Sequence, residues 1–519
     1  MSTTSTMTGM SSPWHRHPAY FVLLGLLSVR LAGGLPSSTD VMTESSRLFG
    51  NINEYAYYFT DLLVGSPLRQ RVSVIIDTGS SLCGFPCAGC SHCGQHLDPL
   101  FDISLSQSAR KSPCSHCEGS CSPDGTCGYV VSYTEGSSIS GIWFRDLVQL
   151  GGSLNRNPPV GTSLGCHTDE RKLFYSQKVN GIMGMAPRSE GGHPTILQEL
   201  FRDKAHINTR VFTLCLAEWG GVMTVGGYDP SFHTANSSLQ WIDLLSSRFF
   251  TVIPYKLQLG AVSIAAGTEA FGTTVVDSGT TFTYFPSEVY NALLAELIAA
   301  CTSGVEDCGA VRESESCWHL EEGASPDQFP MMTLVFSNMV TVQWPPNAYL
   351  FRRTDPSLWC HSFADNGADP NTVLGVSFFL HKNIVFDMDQ SRLGIAEAKC
   401  PEHRRPPGSN ALHAGSSKEA GAGSFSSQAA EVESLIWRDE DRGKAIPFRV
   451  LMGFAAACFI AAMLAAWVAC CECRSRMYTT VHLEDNDPTP SSRAVRRSFW
   501  GVEDEGAAYN FYRHQVGWL

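Results

Sequence analysis

Two segments of this chain end an apolar, β-type run in Asp, a hydroxyl residue and Gly. The first reads VIIDTGSS (residues 74–81) and the second reads VVDSGTTF (residues 275–282). An apolar run before a glycine turn predicts a strand that presents its aspartate in a tight loop. Either segment alone is equally well explained as an Asx turn at a strand end. Two copies, one in each half of the chain, favour one site built from two matching loops.

The residue types of these segments suit acid–base chemistry. Two carboxylates in contact cannot both ionise, so Asp77 and Asp277 would share a proton and supply a base and an acid at the same pH. Such a pair can activate water for hydrolysis without a covalent intermediate. Gly79 and Gly279 permit the turn that brings backbone N–H groups to the carboxylates. Hydroxyl residues complete both loops. We expect Thr78 and Ser278 to cross-link the two loops. We expect Ser80 and Thr280 to hydrogen-bond the outer carboxylate oxygens.

With these residues the chain resembles the pepsin-like aspartic proteases. Residues 131–141, VSYTEGSSISG, are similar to the β-hairpin flap that closes over substrate in that family, and Tyr133 matches its flap tyrosine. Residues 181–184 and 373–376 match the apolar-apolar-Gly segments that lie beneath the two catalytic loops. The resemblance implies that Asp77 and Asp277 are catalytic. The tryptophan that usually follows the first aspartate is absent from residues 82–92, so we expect the flap to be held differently.

Within that family the chain is similar to plasmepsin V and its apicomplexan relatives of the secretory pathway. Its run FPCAGCSHC (residues 85–93) resembles their FPCxxCxxC, and the flap sequence YTEG has Thr134 where they have a cysteine. The resemblance implies cleavage of exported proteins after an Arg-x-Leu motif, with Glu135 holding the arginine and Gln177 assisting. A long helical insert of plasmepsin V is missing here between Cys301 and Cys317.

Glu135 supports two interpretations when it is considered without the resemblance. An acidic residue on an otherwise small and polar flap would favour a basic side chain near the cleaved bond, ideally a bidentate arginine. A solvated surface charge explains the same residue equally well.

The composition predicts an all-β chain, and the resemblance implies a bilobal, pepsin-like fold. Short apolar runs separated by Gly, Ser and Thr are typical of strands, and helical spacing is confined to residues 194–204 and 287–300. The catalytic region is too long for one core, so we expect an N-terminal lobe over residues 51–235 and a C-terminal lobe over residues 236–400. The net charge of −13 argues against nucleic acid as a partner, and no cofactor is expected.

The cysteines indicate an oxidising compartment. Fifteen of the 19 cysteines lie between Cys83 and Cys400, and eight are in the Cys-rich insert, residues 83–127. A zinc site is one interpretation, since His92, His96 and His116 lie nearby. The alternative is a set of disulfides, favoured by the secretory start of the chain, with Cys83 unpaired. The candidates for pairing are Cys87, Cys90, Cys93, Cys114, Cys117, Cys121, Cys127, Cys166, Cys215, Cys301, Cys308, Cys317, Cys360 and Cys400.

The two ends of the chain predict a membrane anchor. Residues 1–34 resemble a signal peptide, and residues 35–50 leave room for a short pro-segment. A polar linker (401–448) precedes an apolar stretch (449–471) that is long enough to cross a lipid bilayer, and residues 472–519 would form a cytosolic tail. We therefore expect a single-pass type I protein of the endoplasmic reticulum or Golgi membrane with a lumenal catalytic domain. Asn236 starts an N-glycosylation sequon.

The sequence thus predicts a membrane-anchored aspartic endopeptidase that processes secretory-pathway proteins at Arg-x-Leu type motifs. Three alternatives stay open. The chain would also suit a general secretory or cell-surface aspartic protease without that preference. It would suit a receptor that keeps the fold only to bind peptides. The insert alone would suit a zinc module that recognises partners.

Overall fold

A computed structural model describes residues 42–405, apart from residues 118, 134–135, 152–157, 190–191, 205 and 303–307. These residues belong to one compact unit. Its secondary structure is mostly β with few helices, as predicted. Among the helices of the described residues, none is long and apolar enough to cross a membrane. The predicted signal peptide, the apolar stretch 449–471 and the tail lie outside the described residues.

The first half of the described chain folds into strands joined by loops. In chain order they are β1 (Glu44–Asn51), β2 (Tyr57–Val64), β3 (Gln70–Asp77), β4 (Cys83–Pro86), β5 (Arg110–Lys111), β6 (Ser120–Cys121), β7 (Cys127–Ser132), β8 (Ser138–Leu150), β9 (Val160–Arg171), β10 (Gly181–Gly184), β11 (Val211–Leu216), β12 (Gly221–Val225) and β13 (Gln240–Asp243). Burial alternates along most of β8, because successive side chains of a strand point to opposite faces. β3 is instead buried continuously from Val72 to Asp77, as expected for a strand inside the body.

The second half is also mostly strands. They are β14 (Leu245–Ser246), β15 (Phe250–Val252), β16 (Pro254–Leu259), β17 (Val262–Ala266), β18 (Thr274–Val276), β19 (Thr283–Phe285), β20 (Ala310–Arg312), β21 (Cys317–Leu320), β22 (Met332–Phe336), β23 (Thr341–Trp344), β24 (Leu350–Arg352), β25 (Leu358–His361), β26 (Phe363–Asp365), β27 (Thr372–Leu374), β28 (Lys382–Asp387) and β29 (Arg392–Glu397). β28 is buried along its whole length and pairs on both sides.

One large sheet combines the first thirteen strands with the last two. Its order is β13-β29-β28-β11-β12-β1-β2-β3-β10-β4-β9-β8-β7-β6, with β5 on β8. β1 begins inside the segment 35–50 and changes partner along its length, since Glu44–Leu48 pair with β12 and Phe49–Asn51 pair with β2. β28 lies between β11 and β29, so the last described strands complete a sheet built by the first half.

Three smaller sheets use only strands from the second half. Their orders are β14-β15-β18-β27-β19-β26, β17-β16-β22-β23 and β20-β21-β25-β24. Strands β1 to β13 thus belong to the large sheet, and strands β14 to β27 belong to the smaller sheets. The predicted lobe boundary at residues 235 and 236 stays a prediction.

The helices are short, with one exception. They are α1 (Leu173–Ser176), α2 (Ile196–Arg202), α3 (Ser287–Thr302), α4 (Pro346–Tyr349) and α5 (Val376–Phe379). α2 starts at a capping box in which Thr195 and Gln198 bond each other's backbone N–H groups. α3 follows Pro286, a residue that suits a helix start. α2 and α3 occupy the two segments in which the sequence predicted helical spacing.

Two groups of buried apolar side chains form the interior. The larger one draws on both halves of the chain, as in the stacked rings of Phe212 and Phe386, whose centroids lie 4.4 Å apart. The smaller one includes Phe59, Tyr129 and Trp143, and the flap tyrosine Tyr133 packs against it. The base of the flap therefore rests on an apolar cluster of its own.

All fourteen candidate cysteines are paired. The bridges are Cys87–Cys166, Cys90–Cys93, Cys114–Cys121, Cys117–Cys127, Cys215–Cys400, Cys301–Cys308 and Cys317–Cys360. Cys83 is unpaired and buried, as the odd number of cysteines predicted. Across the described residues no cluster of His, Cys, Asp and Glu is arranged to hold a metal ion. The Cys-rich insert is therefore a disulfide-bonded module.

Residues 400–405, which we call the C-terminal strap, are fixed to the body. Cys400 is bridged to Cys215, and the His403 N–H donates to the carbonyl of Trp219 at 3.0 Å. The guanidinium of Arg404 lies 3.8 Å from the centre of the Trp219 ring. Arg405 Nη2 lies 2.7 Å from Asp98 Oδ1, in the Cys-rich insert. The first five residues of the predicted linker are thus ordered against the large sheet.

Candidate active site

Asp77 and Asp277 lie at or directly after the ends of strands in two matching arrangements. β3 ends at Asp77 and runs parallel to β10, which pairs Gly184 with Asp77. β18 ends one residue before Asp277 and runs parallel to β27, which pairs Val276 with Leu374. A third strand completes each arrangement, since β4 pairs with β10 and β19 pairs with β27. The repeated sequence segments therefore fold into repeated local structures.

The two loops are cross-linked by reciprocal hydrogen bonds. The Thr78 N–H donates to Ser278 Oγ at 3.1 Å, and the Ser278 N–H donates to Thr78 Oγ1 at 2.9 Å. Each hydroxyl also donates across the site: Thr78 Oγ1 to the Val276 carbonyl and Ser278 Oγ to the Ile76 carbonyl, both at 2.9 Å. All these groups are buried, so the four bonds fix one loop against the other.

Each carboxylate is held by its own turn. The Gly79 N–H donates to Asp77 Oδ1 at 2.8 Å, and the Ser80 hydroxyl donates to Asp77 Oδ2. The second loop repeats this pattern, with Gly279 N–H on Asp277 Oδ1 at 2.8 Å and the Thr280 hydroxyl on Asp277 Oδ2 at 2.6 Å. All eight predicted loop residues are thus brought together.

The two carboxyl groups lie against each other in a buried site. Asp77 is 5% exposed and Asp277 is fully buried, and their side chains are hydrogen-bonded to one another. A Cβ atom built on Gly279 would lie 2.3 Å from Asp77 Oδ1, so only glycine permits this approach. Burial raises the pKa of Asp77 well above its usual range, and the charge of Asp277 raises it further. The pair can therefore hold a proton at a pH at which an ordinary aspartate is ionised.

The apolar-apolar-Gly segments lie directly behind the two aspartate loops. The Met185 N–H donates to the Asp77 carbonyl at 2.7 Å, and the Asp277 N–H donates to the Leu374 carbonyl at 3.0 Å. A Cβ atom on Gly184 would lie 2.4 Å from the backbone of Ser81, and one on Gly375 would lie 2.1 Å from the Phe282 carbonyl. Glycine is required at both positions because the strand and the loop touch there.

The flap is the hairpin formed by β7 and β8. The two strands pair from Gly128 with Ile142 to Ser132 with Ser138, and the turn starts at Tyr133. The Tyr133 N–H donates to the Ser137 carbonyl, and the Gly136 N–H donates to the Tyr133 carbonyl, both at 2.9 Å. Glu135, predicted to hold an arginine, lies outside the described residues.

Phe174 takes over the support of the flap tyrosine. Its ring, on α1, lies 4.9 Å from the ring of Tyr133 and is itself buried. The sequence indicated that the flap is held without a tryptophan but did not identify Phe174. Gln177 follows α1, and its amide donates to the carbonyl of Val179 at 3.0 Å. The described contacts of the Gln177 side chain are thus with its own loop.

Comparison with known proteins assigns the chain to a family. The sequence model of the family described as eukaryotic aspartyl protease matches residues 57–398. The chain belongs to this family. The match includes both aspartate loops, the flap and the segments behind the loops. As an aspartyl protease the chain belongs to the class of aspartic-type endopeptidases.

Several curated aspartyl proteases are similar to this one. Aspartic protease 5 of Toxoplasma gondii is 34% identical over 432 residues, which cover 72% of this chain and 40% of that protein. Plasmepsin V of Plasmodium falciparum (isolate 3D7) is 27% identical over 450 residues, 69% of this chain and 73% of that protein. Aspartic proteinase 39 of Arabidopsis thaliana is 25% identical over 378 residues, 67% of this chain and 76% of that protein. The chain thus spans two fifths of the length of the Toxoplasma relative.

This aspartyl protease has a buried group that the sequence did not reveal. Glu170 accepts hydrogen bonds from His167 at 2.7 Å and from His96 at 3.0 Å, and all three side chains are buried. Burial opposes ionisation of Glu170, but the two histidines outweigh it and hold the pKa of Glu170 below its usual range. The sequence offered His96 only as a zinc ligand, and its contact with Glu170 spans 74 residues.

Proposed function

We propose that this chain is a membrane-anchored aspartic endopeptidase of the secretory pathway that cuts protein substrates at Arg-x-Leu type motifs. The reciprocal cross-link of the two aspartate loops is the observation that carries the catalytic part of the proposal. It holds Asp77 and Asp277 in hydrogen-bonded contact, which is the arrangement in which two carboxyl groups can share one proton.

The geometry supports a direct attack of water on the peptide bond. The ionised carboxylate of the pair takes a proton from a water molecule placed between the two aspartates, and the water oxygen attacks the carbonyl carbon. The protonated carboxyl group donates its proton to the carbonyl oxygen. Because the loops are fixed before substrate binds, little reorganisation is needed during the reaction.

The preference for arginine is supported by the flap and by the resemblance to the plasmepsin V group. In the sequence Glu135 lies between Tyr133 and Gly136, two residues that frame the turn of the hairpin. A carboxylate at that position can pair with a guanidinium through two parallel hydrogen bonds, which an ammonium group cannot form. The proposal therefore predicts discrimination between arginine and lysine as well as between charged and neutral residues.

The proposed location rests on the disulfides and on the two ends of the chain. Seven bridges in the described residues suit an oxidising compartment. The predicted signal peptide and the apolar stretch 449–471 suit a type I protein of the endoplasmic reticulum or Golgi membrane. The side chain of Asn236 is exposed, as N-glycosylation of the sequon requires.

The test is peptide cleavage by the purified full-length chain. Three matched quenched fluorescent peptides carry Arg-x-Leu, Lys-x-Leu or Ala-x-Leu, and four proteins are compared: wild type, Asp77→Asn, Glu135→Gln and Glu322→Gln. Glu322 is an exposed acidic residue of the second half and serves as the charge control. We expect Asp77→Asn to lower kcat by about 10²- to 10⁴-fold, the usual effect of removing acid–base catalysis. We expect Glu135→Gln to abolish the preference for arginine and Glu322→Gln to keep it.

Each alternative has its own outcome in this experiment. Equal cleavage of the three peptides by the wild type would leave a general aspartic protease. Absence of cleavage by folded wild-type protein, together with peptide binding, would favour a receptor on the same fold. Activity retained by Asp77→Asn would contradict the proposed mechanism.

A further inference from the structure

The disulfide Cys90–Cys93 differs from the other bridges in its accessibility and loop size. It closes the short loop Cys90-Ser91-His92-Cys93, and both cysteines are partly exposed. Among the bridges of the described residues, Cys114–Cys121 is the only other one without a buried cysteine. Accessible disulfides exchange with external thiols, whereas buried ones are protected. The CxxC loop is thus open to reduction in the folded protein.

His92 lies inside this loop and fixes it to the neighbouring strand. The thiolate is both the nucleophile and the leaving group of thiol–disulfide exchange, so the accessible sulfur atoms of the loop are its reactive groups. His92 Nδ1 lies 2.7 Å from the carbonyl oxygen of Glu170, so this nitrogen carries a proton and donates it. The side chain of His92 is 54% exposed, and His92 directly precedes Cys93 in the sequence. The side chain of His92 therefore connects the accessible loop to Glu170.

The same histidine joins the loop to the element that supports the flap. The Glu170 N–H donates to the His92 carbonyl at 2.8 Å. Together with the bond from His92 Nδ1 to the Glu170 carbonyl, it joins the backbone and the side chain of His92 to the end of β9. The His92 ring also stacks on Tyr175 of α1, with centroids 4.6 Å apart. The preceding residue of α1 is Phe174, whose ring lies 4.9 Å from Tyr133. Only α1 therefore separates the CxxC loop from the flap tyrosine.

We propose that Cys90 and Cys93 form a thiol–disulfide exchange site at which a thiol reductant, supplying two thiol groups for each bridge, opens the loop and, through His92 and α1, loosens the flap. One thiolate of the reductant attacks Cys90 Sγ, the Cys90–Cys93 bond breaks, and Cys93 leaves as a thiolate. The second thiolate of the reductant then attacks the mixed disulfide and releases Cys90. The reductant becomes a disulfide, the loop gains two electrons, and the two thiol protons of the reductant pass to Cys90 and Cys93.

The effect on activity rests on the proposed function, whereas exchange at the loop does not. In the oxidised loop the three-residue spacing holds the His92 backbone in place for Glu170 and Tyr175. Opening of the loop removes that constraint, so α1 and Tyr133 lose part of their support. The reduced protein is expected to be the less active form.

The experiment uses the purified full-length chain in glutathione buffers that range from fully oxidised to fully reduced. Each sample is divided for labelling of free thiols with a mass-tagged maleimide, for kcat/KM on the Arg-x-Leu peptide, and for deuterium uptake by residues 172–178. The variants are Cys90→Ser/Cys93→Ser and, as the matched control, Cys114→Ser/Cys121→Ser, which removes the other accessible bridge. The buried thiol of Cys83 reports unfolding, because it is labelled only when the body opens.

Among the cysteines of the described residues, we expect Cys90 and Cys93 to be labelled first, while Cys83 stays protected. At the same glutathione ratio kcat/KM should fall about fivefold, the lower end of typical coupling between separate sites, and deuterium uptake by residues 172–178 should rise. The Cys90→Ser/Cys93→Ser protein should match the reduced wild type in every buffer. The control variant should keep the full response to glutathione.

Two results would overturn the proposal: labelling of Cys90 and Cys93 only together with Cys83, or labelling without any change in kcat/KM and deuterium uptake. If no peptide is cut in any buffer, the proposed function fails instead. Labelling and deuterium uptake then still decide whether the loop is an exchange site coupled to α1.

Discussion

Thr78 occupies the centre of the cross-link between the catalytic loops, since its hydroxyl accepts from Ser278 N–H and donates to the Val276 carbonyl. Thr78→Val keeps the shape of the side chain but leaves both partners buried and unpaired. We expect a loss of roughly 1–3 kcal/mol of unfolding free energy for each unpaired group. A fall in kcat should accompany it, because the loops are no longer fixed against each other. Urea unfolding and steady-state kinetics measure the two effects.

Thr78→Ser is the matched control for this prediction, because it keeps the hydroxyl and loses only a methyl group. It should retain most of the stability and activity. Equal losses in Thr78→Val and Thr78→Ser would show that packing of the methyl group, rather than the hydrogen bonds, holds the loops.

The raised pKa of Asp77 predicts how stability depends on pH. Because the folded-state pKa lies above the unfolded value, protonated Asp77 stabilises the fold fully below the unfolded pKa. That stabilisation is lost as the pH rises through the folded pKa. The side chain of Asp77→Asn does not titrate, so the variant should gain unfolding free energy relative to wild type across this window and level off above it. Urea midpoints at a series of pH values test this, and parallel curves for the two proteins would refute it.

At the scale of single residues, the sequence predicted what is local. Asp77, Gly79 and Ser80 lie within four positions, and their bonds follow from the turn that they form. The contact of Glu170 with His96 joins residues that are far apart in the chain, and nothing in either neighbourhood indicates it. Phe174 was missed for the same reason, since its partner Tyr133 lies on another element.

At the scale of elements, α1 carries the support of the flap. Phe174→Ala removes the ring that contacts Tyr133 and leaves a cavity in the smaller apolar cluster. We expect kcat/KM to fall roughly tenfold, because a flap tyrosine that is poorly placed costs orientation of the substrate. The loss of unfolding free energy should be about 3–5 kcal/mol if the cavity does not collapse. Kinetics with the Arg-x-Leu peptide and thermal unfolding measure both quantities.

Phe174→Leu provides the control for this prediction, because it keeps an apolar side chain of similar reach. It should recover most of the lost stability. Wild-type kcat/KM in Phe174→Ala would contradict the assigned role of α1, whatever the change in stability.

Helices and disulfides show where prediction of elements succeeds and where it ends. The spacing of apolar residues placed α2 and α3 because that spacing is a property of the segment itself. The cysteines were recognised as disulfide-forming from their compartment and number, but their pairing depends on distance in space. Cys215 pairs with Cys400 across 185 residues of chain, which no local pattern encodes.

At the scale of the molecule, the C-terminal strap connects the end of the body to the Cys-rich insert. The Arg405 side chain is 8% exposed and lies 2.7 Å from Asp98 and 3.2 Å from Asp61. Arg405→Ala leaves two buried carboxylates without this cation, and we expect a loss of about 3–5 kcal/mol of unfolding free energy. Urea unfolding of the full chain measures the loss. Added Asp98→Asn should recover part of it, since one buried charge is then removed.

Arg404→Ala is the control within the strap. Its guanidinium contacts only the face of Trp219 among the described contacts, so the expected loss is about 0.5–1 kcal/mol. Equal losses for Arg404→Ala and Arg405→Ala would show that the strap acts through its backbone rather than through the buried ion pair.

The position of β28 and β29 in the large sheet sets an order of events during protein synthesis. A ribosome makes β11 and β13 long before Lys382, yet β28 and β29 supply their neighbours. The partner strand of the second aspartate loop, β27, is also made late. In the growing polypeptide, β11 and β13 therefore lack these neighbours until β28 and β29 have been synthesised. Its first opportunity to cut another protein comes only when translation of the body is almost complete.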